Sequence, residues 1–361
     1  MTTSVCKFGG SSLSDADMFR RVIDIVRSDP ARRFVVLSAP GKRFDGDQKI
    51  TDLLYAAHLA GPYSDQSIFS RICQRYTQIA AGLCPNFNMS SELANIREML
   101  HCSADFAASR GEYLSAKLFA AASGFDFVDA SELICFHGDG SIDMTSTREC
   151  VQSRLSSLDR VVIPGFYGSL PDGSIKTFSR GGSDVSGAVI AAALDADLYE
   201  NWTDVDGLFT ADPRLIHDAR RNPLVSLDQM QAVARAGANV LHPDSLSVLR
   251  GTGIDALIKS TFDPGGEGTR ISENCTVTVP CVTAQRNLAR PLLARDGRSA
   301  CNDASEYCVI SAFGLDSTAM RCIHHRLKPI CIIHMQDHYK IITPNDRYET
   351  AIHIIHRFML H

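Results

Sequence analysis

Residues 176–188 read KTFSRGGSDVSGA, and this stretch decides how the rest of the chain is understood. Arg180 precedes two glycines, Gly181 and Gly182. Ser183 and Asp184 then open an alanine-rich segment, VSGAVIAAAL, with the composition of a buried helix. A turn of this kind offers unpaired main-chain N–H groups at the positive end of a helix dipole, and its glycines allow a ligand close to the backbone. That is a seat for an anion. The alternative is an ordinary strand-to-helix turn with Ser183 as N-cap. A fork-shaped cation and a carboxylate on either side of one glycine turn suit a small zwitterion better than they suit a cap.

The N-terminus repeats the theme. Ser4–Phe8 reads as a short apolar strand running into Gly9 and Gly10, followed by a helix with Ser14 as its expected cap and Met18, Val22, Ile25 and Val26 at helical spacing. Strand, glycine turn and helix make a phosphate cradle, to which Lys7 adds a point charge. RFVVLSAPGK is a second buried strand. Its Gly41–Lys42 pair is not a nucleotide-binding P-loop, because Arg43 stands where a Ser or Thr would hold magnesium. Residues 64–109 look wholly helical, and Gly111 and Glu112 are read as opening a further helix, where Glu112 would favour the dipole. FDFVDA is expected as a strand and ICFHGDGSIDMT as a hairpin. A buried strand, RVVIP, and a second hairpin lead into the opening stretch. LYENWTDVDGLFTADPR then ends a strand at Thr203, Asp204 and Asp206, with Asp212 and Arg214 downstream. Acidic groups at strand ends hold ribose hydroxyls or magnesium and an arginine nearby reaches phosphate; the plainer alternative is an Asp-rich turn. Strands and helices alternate as far as PGGEGT, which implies a mainly parallel sheet covered on both faces.

Composition narrows the class. The chain has 361 residues, 45% hydrophobic and 21% charged, with a formal net charge of −5. That charge attracts no nucleic acid, and no basic run forms a stripe. MTTSVCKFGG lacks the apolar core of a signal peptide and no later apolar run is long enough for a bilayer, so a cytoplasmic protein acting on small molecules, with no membrane partner, is expected. The 12 cysteines are scattered without a CxxC pair and read as reduced thiols.

Taken in order, KFGGSS, VVLSAPGK with TDLL, RGEYLSA, GFYG, TFSRGGSD, WTDVDGLFTADPR and GANVLHP resemble the aspartate kinases of the amino-acid kinase superfamily, over about Val5 to Thr269. The resemblance implies a three-layer αβα fold in residues 1–275. It also implies transfer of the γ-phosphoryl of MgATP to the side-chain carboxylate of L-aspartate, giving 4-phospho-L-aspartate at the start of lysine, threonine, methionine and diaminopimelate synthesis. Lys7, with the Gly9 and Gly10 amides, would then stabilise the transferring group. Arg180 would pair the substrate α-carboxylate and Glu112 its α-ammonium. Thr51 and Ser183, with the Gly181–Gly182 turn, would supply hydrogen bonds, and Asp184 would orient Lys7 or the ammonium. An aspartate side chain is already ionised at neutral pH, so Asp184 has no proton to remove. The nucleotide would fall to Phe8, Gly9 and Gly10, to Thr203, Asp204, Phe209 and Arg214, and to Asn239 and Val240. Asn239 departs from the family, which has a lysine in GAKVLHP; an amide donates a hydrogen bond without charge, so weaker ATP binding is expected, with Lys259 a candidate to compensate.

Aspartate kinases carry paired ACT modules, and residues 276–361 suffice for one, expected to be a reduced or truncated regulatory module. The order strand, helix, strand, strand, helix from YCVISAFG to the end lacks a final strand, so an ACT-like, ferredoxin-like α+β module is expected to complete its sheet with a partner chain, as in a homodimer, or with residues 276–280. Such a module would bind an effector, lysine or threonine. Seven of the 12 histidines fall between His324 and His361, at spacings that match no zinc pattern, and no metal site is assigned. Two other readings keep part of this picture: a kinase of the same fold with another acyl acceptor, and a catalytically weak sensor of amino acid or nucleotide. The pairing of RGE with SRGGSD favours an acceptor whose α-amino and α-carboxyl groups are both free.

Overall fold

Ser4–Phe8 is β1, buried along its whole length inside a parallel sheet. The structure, a computed structural model, describes residues 2–179, 181–238, 240–288 and 307–359. Side chains alternate across a strand. Cys6 and Phe8 therefore enter the apolar cluster on one face of the sheet, and Lys7 turns to the other. α1 (Ala16–Arg27) follows a short 3₁₀ turn and buries Phe19, Val22 and Val26 in that cluster. Its cap is Asp15, which accepts the Met18 N–H at 3.0 Å, and not Ser14, whose hydroxyl donates to Asp15. β2 (Arg32–Leu37) pairs parallel with β1.

The stretch read as helical throughout contains α3 (Gln66–Leu83), α4 (Met89–Met99) and the start of α5 (Ala104–Ser123), after α2 (Ile50–Ala60). Gly111 and Glu112 do not open a helix; they lie in the middle of α5, whose cap is Ser103, so the helix dipole does not account for Glu112. β3 (Asp126–Phe127) is far shorter than expected, and the hairpin expected before α6 (Met144–Leu155) is a single bridge, Phe136 to Ile142. β4 (Val161–Pro164), the hairpin of β5 (Tyr167–Ser169) and β6 (Ile175–Thr177), α7 (Gly182–Ala193) and β7 (Leu198–Thr203) follow. After β8 (Leu224–Ser226) and α8 (Leu227–Arg235) come α9 (Pro243–Leu249) and β9 (Asp255–Ser260). The strand order β3-β4-β2-β1-β7-β9 is parallel throughout. α1 to α5 cover the Phe8 face and α7 the Lys7 face, giving three layers.

These elements, apart from β8 and α8, make one compact unit of residues 1–206 and 244–267; residues 207–243 and 268–361 make a second. The second unit contains β8 paired parallel with β10 (Thr269–Ser272), and a separate antiparallel sheet. That sheet runs β11-β12-β14-β13, from β11 (Cys281–Leu288), β12 (Tyr307–Phe313), β13 (Cys331–His334) and β14 (His338–Pro344). α10 (Ser317–Leu327) and α11 (Tyr348–Met359) pack on it, burying Cys308, Ile310, Ala312, Ile323, Ile341 and Ile355 together. The missing strand is thus supplied within the chain by β11, a few residues beyond the 276–280 segment expected to serve.

Among the described residues no three His, Cys, Asp or Glu converge as a metal site, and no helix is long and apolar enough to cross a membrane.

Candidate active site

Lys7 and Asp184 meet on the α7 face of the first unit. Nζ lies 2.5 Å from Oδ1, with the two side chains 8% and 15% exposed. Glycines make the approach possible. Gly187 lies on α7 over the strands, and a Cβ there would stand 2.8 Å from the Tyr199 ring and 3.0 Å from Lys7 Cβ, so a larger residue would lift the helix off the sheet. Tyr199 returns the contact, its hydroxyl donating to the Asp184 carbonyl at 3.0 Å.

The start of α7 is held by a second glycine device. Gly181, at φ 77°, is the N-cap residue in the left-handed region that glycine enters freely, and it makes no side-chain cap bond. Ser183 is one residue inside the first turn, buried against Gly165, so the cap assignment for it does not hold. Phe166, in GFYG, also has a left-handed backbone, φ 79°, which costs a non-glycine residue about 1–3 kcal/mol. What keeps it there is explicit. Its N–H donates to Ser186 Oγ at 2.7 Å, Ser186 donates to the Gly182 carbonyl at 2.8 Å, and the Phe166 carbonyl accepts the Phe178 N–H at 2.8 Å. The two sides of the 178–182 loop are thereby tied together. Arg180 itself lies outside the described residues.

Glu112 lies in the middle of α5, beside the loop after β2. Gly111 packs so tightly on the loop after β2 that a Cβ would stand 2.7 Å from Ala39 Cβ, and Tyr76 donates to the Gly111 carbonyl at 2.6 Å. Lys176 and Thr177 of β6 both engage Asp105 in the first turn of α5, linking that helix to the approach to Arg180. Glu112 is 4% exposed, and its Oε2 is buried with no hydrogen-bond partner among the described residues. Burial pushes its carboxyl up to about 8, against the opposing pull of the Ala39 N–H and the Arg110 charge. A buried carboxyl with an open oxygen is one that a ligand cation would satisfy.

Of the phosphate cradle, Gly9 donates its N–H to the Trp202 carbonyl at 3.0 Å, so what it offers a ligand is space: a Cβ there would stand 3.3 Å from Lys7 Nζ. Gly10 packs against the next loop, accepting the Gly41 N–H at 2.7 Å. Arg75 braces that loop from α3, donating to the Gly41 carbonyl at 2.7 Å and to Asp47 at 2.8 Å. Thr51 lies in the first turn of α2. Phe8 stacks on Trp202, ring centroids 5.6 Å apart, beneath the same strand ends. Thr203 ends β7 and donates to Asp204 at 3.1 Å; Asp204 is exposed. Phe209, Arg214 and Val240 belong to the second unit, where Arg214 is fully on the surface and pairs with Asp212 at 2.7 Å. Asn239 lies outside the described residues.

Sequence reading passed over Asn201, Tyr199 and Gly187. Asn201 is the β7 residue in register with Lys7, 1% exposed, with a buried Oδ1 that has no partner among the described residues. A polar residue in the otherwise buried run LYENW was the available signal. Gly187 and Tyr199 gave none, because their role exists only where α7 crosses β1 and β7.

Comparison with known proteins fits this geometry. The chain is 34% identical over 289 residues to aspartokinase 3 of Bacillus subtilis and 31% identical over 300 residues to the lysine-sensitive aspartokinase 3 of Escherichia coli. The matches take in 74% and 75% of this chain, and the chain spans 63% of the length of each relative. Among solved structures, the aspartate kinase of Clostridium acetobutylicum superposes with a TM-score of 0.82 at 28% identity over all of both chains. E. coli aspartokinase III in complex with aspartate and ADP has the same fold, with a TM-score of 0.81 at 23% identity, covering 99% of this chain and all of that one. The model of the amino acid kinase family matches residues 2–260, which include Lys7, Glu112 and Asp184 and the strands β3-β4-β2-β1-β7-β9, and the chain belongs to that family.

Proposed function

We propose that this protein is an ATP-dependent aspartate kinase, which transfers the γ-phosphoryl of MgATP to the side-chain carboxylate of L-aspartate. Glu112 carries the reading: a carboxyl with one buried, open oxygen, in the same fold unit as the Lys7–Asp184 pair, calls for a cation, and the α-ammonium of an amino acid is one of the right size. The relatives support it, since E. coli aspartokinase III has been crystallised with aspartate and ADP. In the reaction an oxygen of the substrate carboxylate attacks the γ-phosphorus, the bond to ADP breaks, and no proton need move. The protein's work is to bring two anions together and offset their charge. Lys7 carries that offset, Asp184 fixes its ammonium, Glu112 takes the α-ammonium, and Arg180 takes the α-carboxylate.

On the same reading Thr51, Ser183 and the Gly181–Gly182 turn complete the aspartate site. Phe8, Gly9, Gly10, Thr203, Asp204, Phe209, Arg214, Asn239 and Val240 serve the nucleotide, with Mg²⁺ carried in by ATP. Residues 1–275 form the catalytic domain and 276–361 a single ACT-like regulatory module of a cytoplasmic homodimer. Lysine is the first effector to test, because one relative is lysine-sensitive and E. coli aspartokinase III has also been solved with lysine and aspartate. The deciding assay supplies MgATP and L-aspartate and traps the acyl phosphate with hydroxylamine. Aspartyl hydroxamate is the expected product; its absence, or equal product from L-glutamate or N-acetylglutamate, would discard the reading.

A further inference from the structure

The segment that carries Phe209 and Arg214 is stitched into the second unit from several sides. Ala211 and Ile216 are each 2% exposed within the apolar core of α10, α11 and the antiparallel sheet. Thr210 is the junction. Its N–H donates to the Arg220 carbonyl at 2.8 Å, and its carbonyl accepts the Val282 N–H of β11 at 2.9 Å. Its hydroxyl oxygen accepts the Arg220 N–H at 3.0 Å and lies 2.9 Å from Nε2 of His356, on α11. Thr210 and His356 are both buried, at 3% and 2% exposure. We propose that His356 is a positioning residue for the nucleotide: from α11 it fixes the Thr210 hydroxyl, and so the loop that presents Phe209 and Arg214 to ATP. This rests on the assignment of that loop to the nucleotide.

The Arg220 N–H takes one lone pair of Thr210 Oγ1, which leaves the hydroxyl its proton and a second lone pair, so with His356 Nε2 it donates or accepts according to the ring's tautomer. Nδ1 lies 3.9 Å from Asp218, beyond hydrogen-bond reach. The groups that bear on the ring's charge are Asp218, which favours the imidazolium, and His353 and Arg220, which oppose it; burial, the largest influence, opposes it too. The ring therefore titrates below the ordinary histidine range. On protonation Nε2 can only donate, so the hydroxyl must accept on its second lone pair, and a buried charge appears beside Arg220 at the Thr210 junction. Nucleotide binding should then weaken as the solution is acidified.

The experiment measures binding of the magnesium complex of AMP-PNP by calorimetry, and KM for ATP, on the full chain. His356→Phe should raise both about three- to tenfold, the range of one lost hydrogen bond, with kcat and KM for aspartate within about twofold. His356→Gln places an amide, able to accept or donate, where Nε2 stood and should retain binding, as should the conservative Thr210→Ser. The parent's affinity should also fall between pH 7.5 and 5.5 by more than that of His356→Gln, a difference that cancels protonation of the nucleotide itself and needs no destabilised variant. Unaltered binding in His356→Phe, or identical pH profiles for parent and His356→Gln, would overturn the positioning role alone. A parent chain that binds no AMP-PNP would remove the nucleotide assignment and this role with it.

Discussion

The open oxygen of Glu112 makes a quantitative prediction about aspartate. In the free protein this carboxyl titrates near pH 8, because burial disfavours its charge and nothing among the described residues pairs Oε2. An α-ammonium is held far more strongly by the ionised form, so binding below that pH releases a proton. At pH 6.5 about 3% of the carboxyl is ionised, and apparent affinity should be about 30-fold below its alkaline limit, ~2 kcal/mol at 1.36 kcal/mol per unit. KM for aspartate should therefore fall close to tenfold per pH unit from pH 6 to 7 and level off above pH 8, while kcat at saturating aspartate changes far less. Steady-state assays at fixed saturating MgATP, in constant ionic strength, read this directly, and proton release measured by calorimetry in buffers of different ionisation enthalpy reads it again. Glu112→Gln should bind aspartate weakly at every pH and lose the slope. A flat KM between pH 6 and 8.5, or the parental slope surviving in Glu112→Gln, would refute the placement of the ammonium at this side chain.

Three further outcomes follow from the same geometry. Lys7→Ala should lower kcat by at least about 100-fold, the scale of removing one preorganised electrostatic contact, while circular dichroism shows a folded protein. Gly187→Ala forces a Cβ to within 3.0 Å of Tyr199 and Lys7; it should cost about 1–3 kcal/mol by denaturant unfolding and lower kcat as well, whereas a purely structural glycine would leave turnover intact. Asn239→Lys restores the cation usual in the family and should lower KM for ATP several-fold without moving KM for aspartate.

The parallel sheet was legible because apolar runs such as RFVVL and RVVIP, separated by glycine turns and helical periods, leave little choice of architecture. Lys7 and Asp184 could be named from turn chemistry, but not joined. Their meeting depends on residues that lack side chains or sit far away in sequence, above all Gly187, where the absent Cβ does the positioning. Glu112 was named through its motif and misplaced locally: RGE looked like a helix start, while the real start is Ser103, whose hydroxyl accepts the Phe106 N–H at 3.0 Å. The short tail misled in a different way. A strand that completes a sheet can precede its neighbours in the chain by many residues, and β11 does so with only modest apolar alternation in CVTAQRNL.

Burial alone does not separate a structural carboxylate from a candidate ligand-binding one here, but their hydrogen-bond partners differ. Glu200 is 3% exposed and Glu112 is 4% exposed. Glu200 Oε2 accepts from Arg32 Nε at 2.8 Å, from Trp202 Nε1 at 2.8 Å and from Cys6 Sγ at 3.3 Å, with the Arg32 guanidinium 5.0 Å over the Trp202 ring. That oxygen is saturated by the protein, whereas Oε2 of Glu112 is not. Isosteric amides should then act with opposite sign. Glu200→Gln strands a buried guanidinium and should cost about 3–5 kcal/mol, leaving KM for aspartate unchanged in whatever remains folded. For Glu112, the folded pKa lies above the unfolded one, so the native state holds the extra proton between about pH 4.5 and 8, and ionising it costs stability that is fully lost above pH 8. Glu112→Gln removes that penalty and should stabilise the ligand-free protein at pH 8, by on the order of 2–4 kcal/mol, with little change at pH 5. Urea unfolding at both pH values decides it: if the two amides destabilise alike, Glu112 is one more structural charge, and the ligand cation inferred from its open oxygen goes with it.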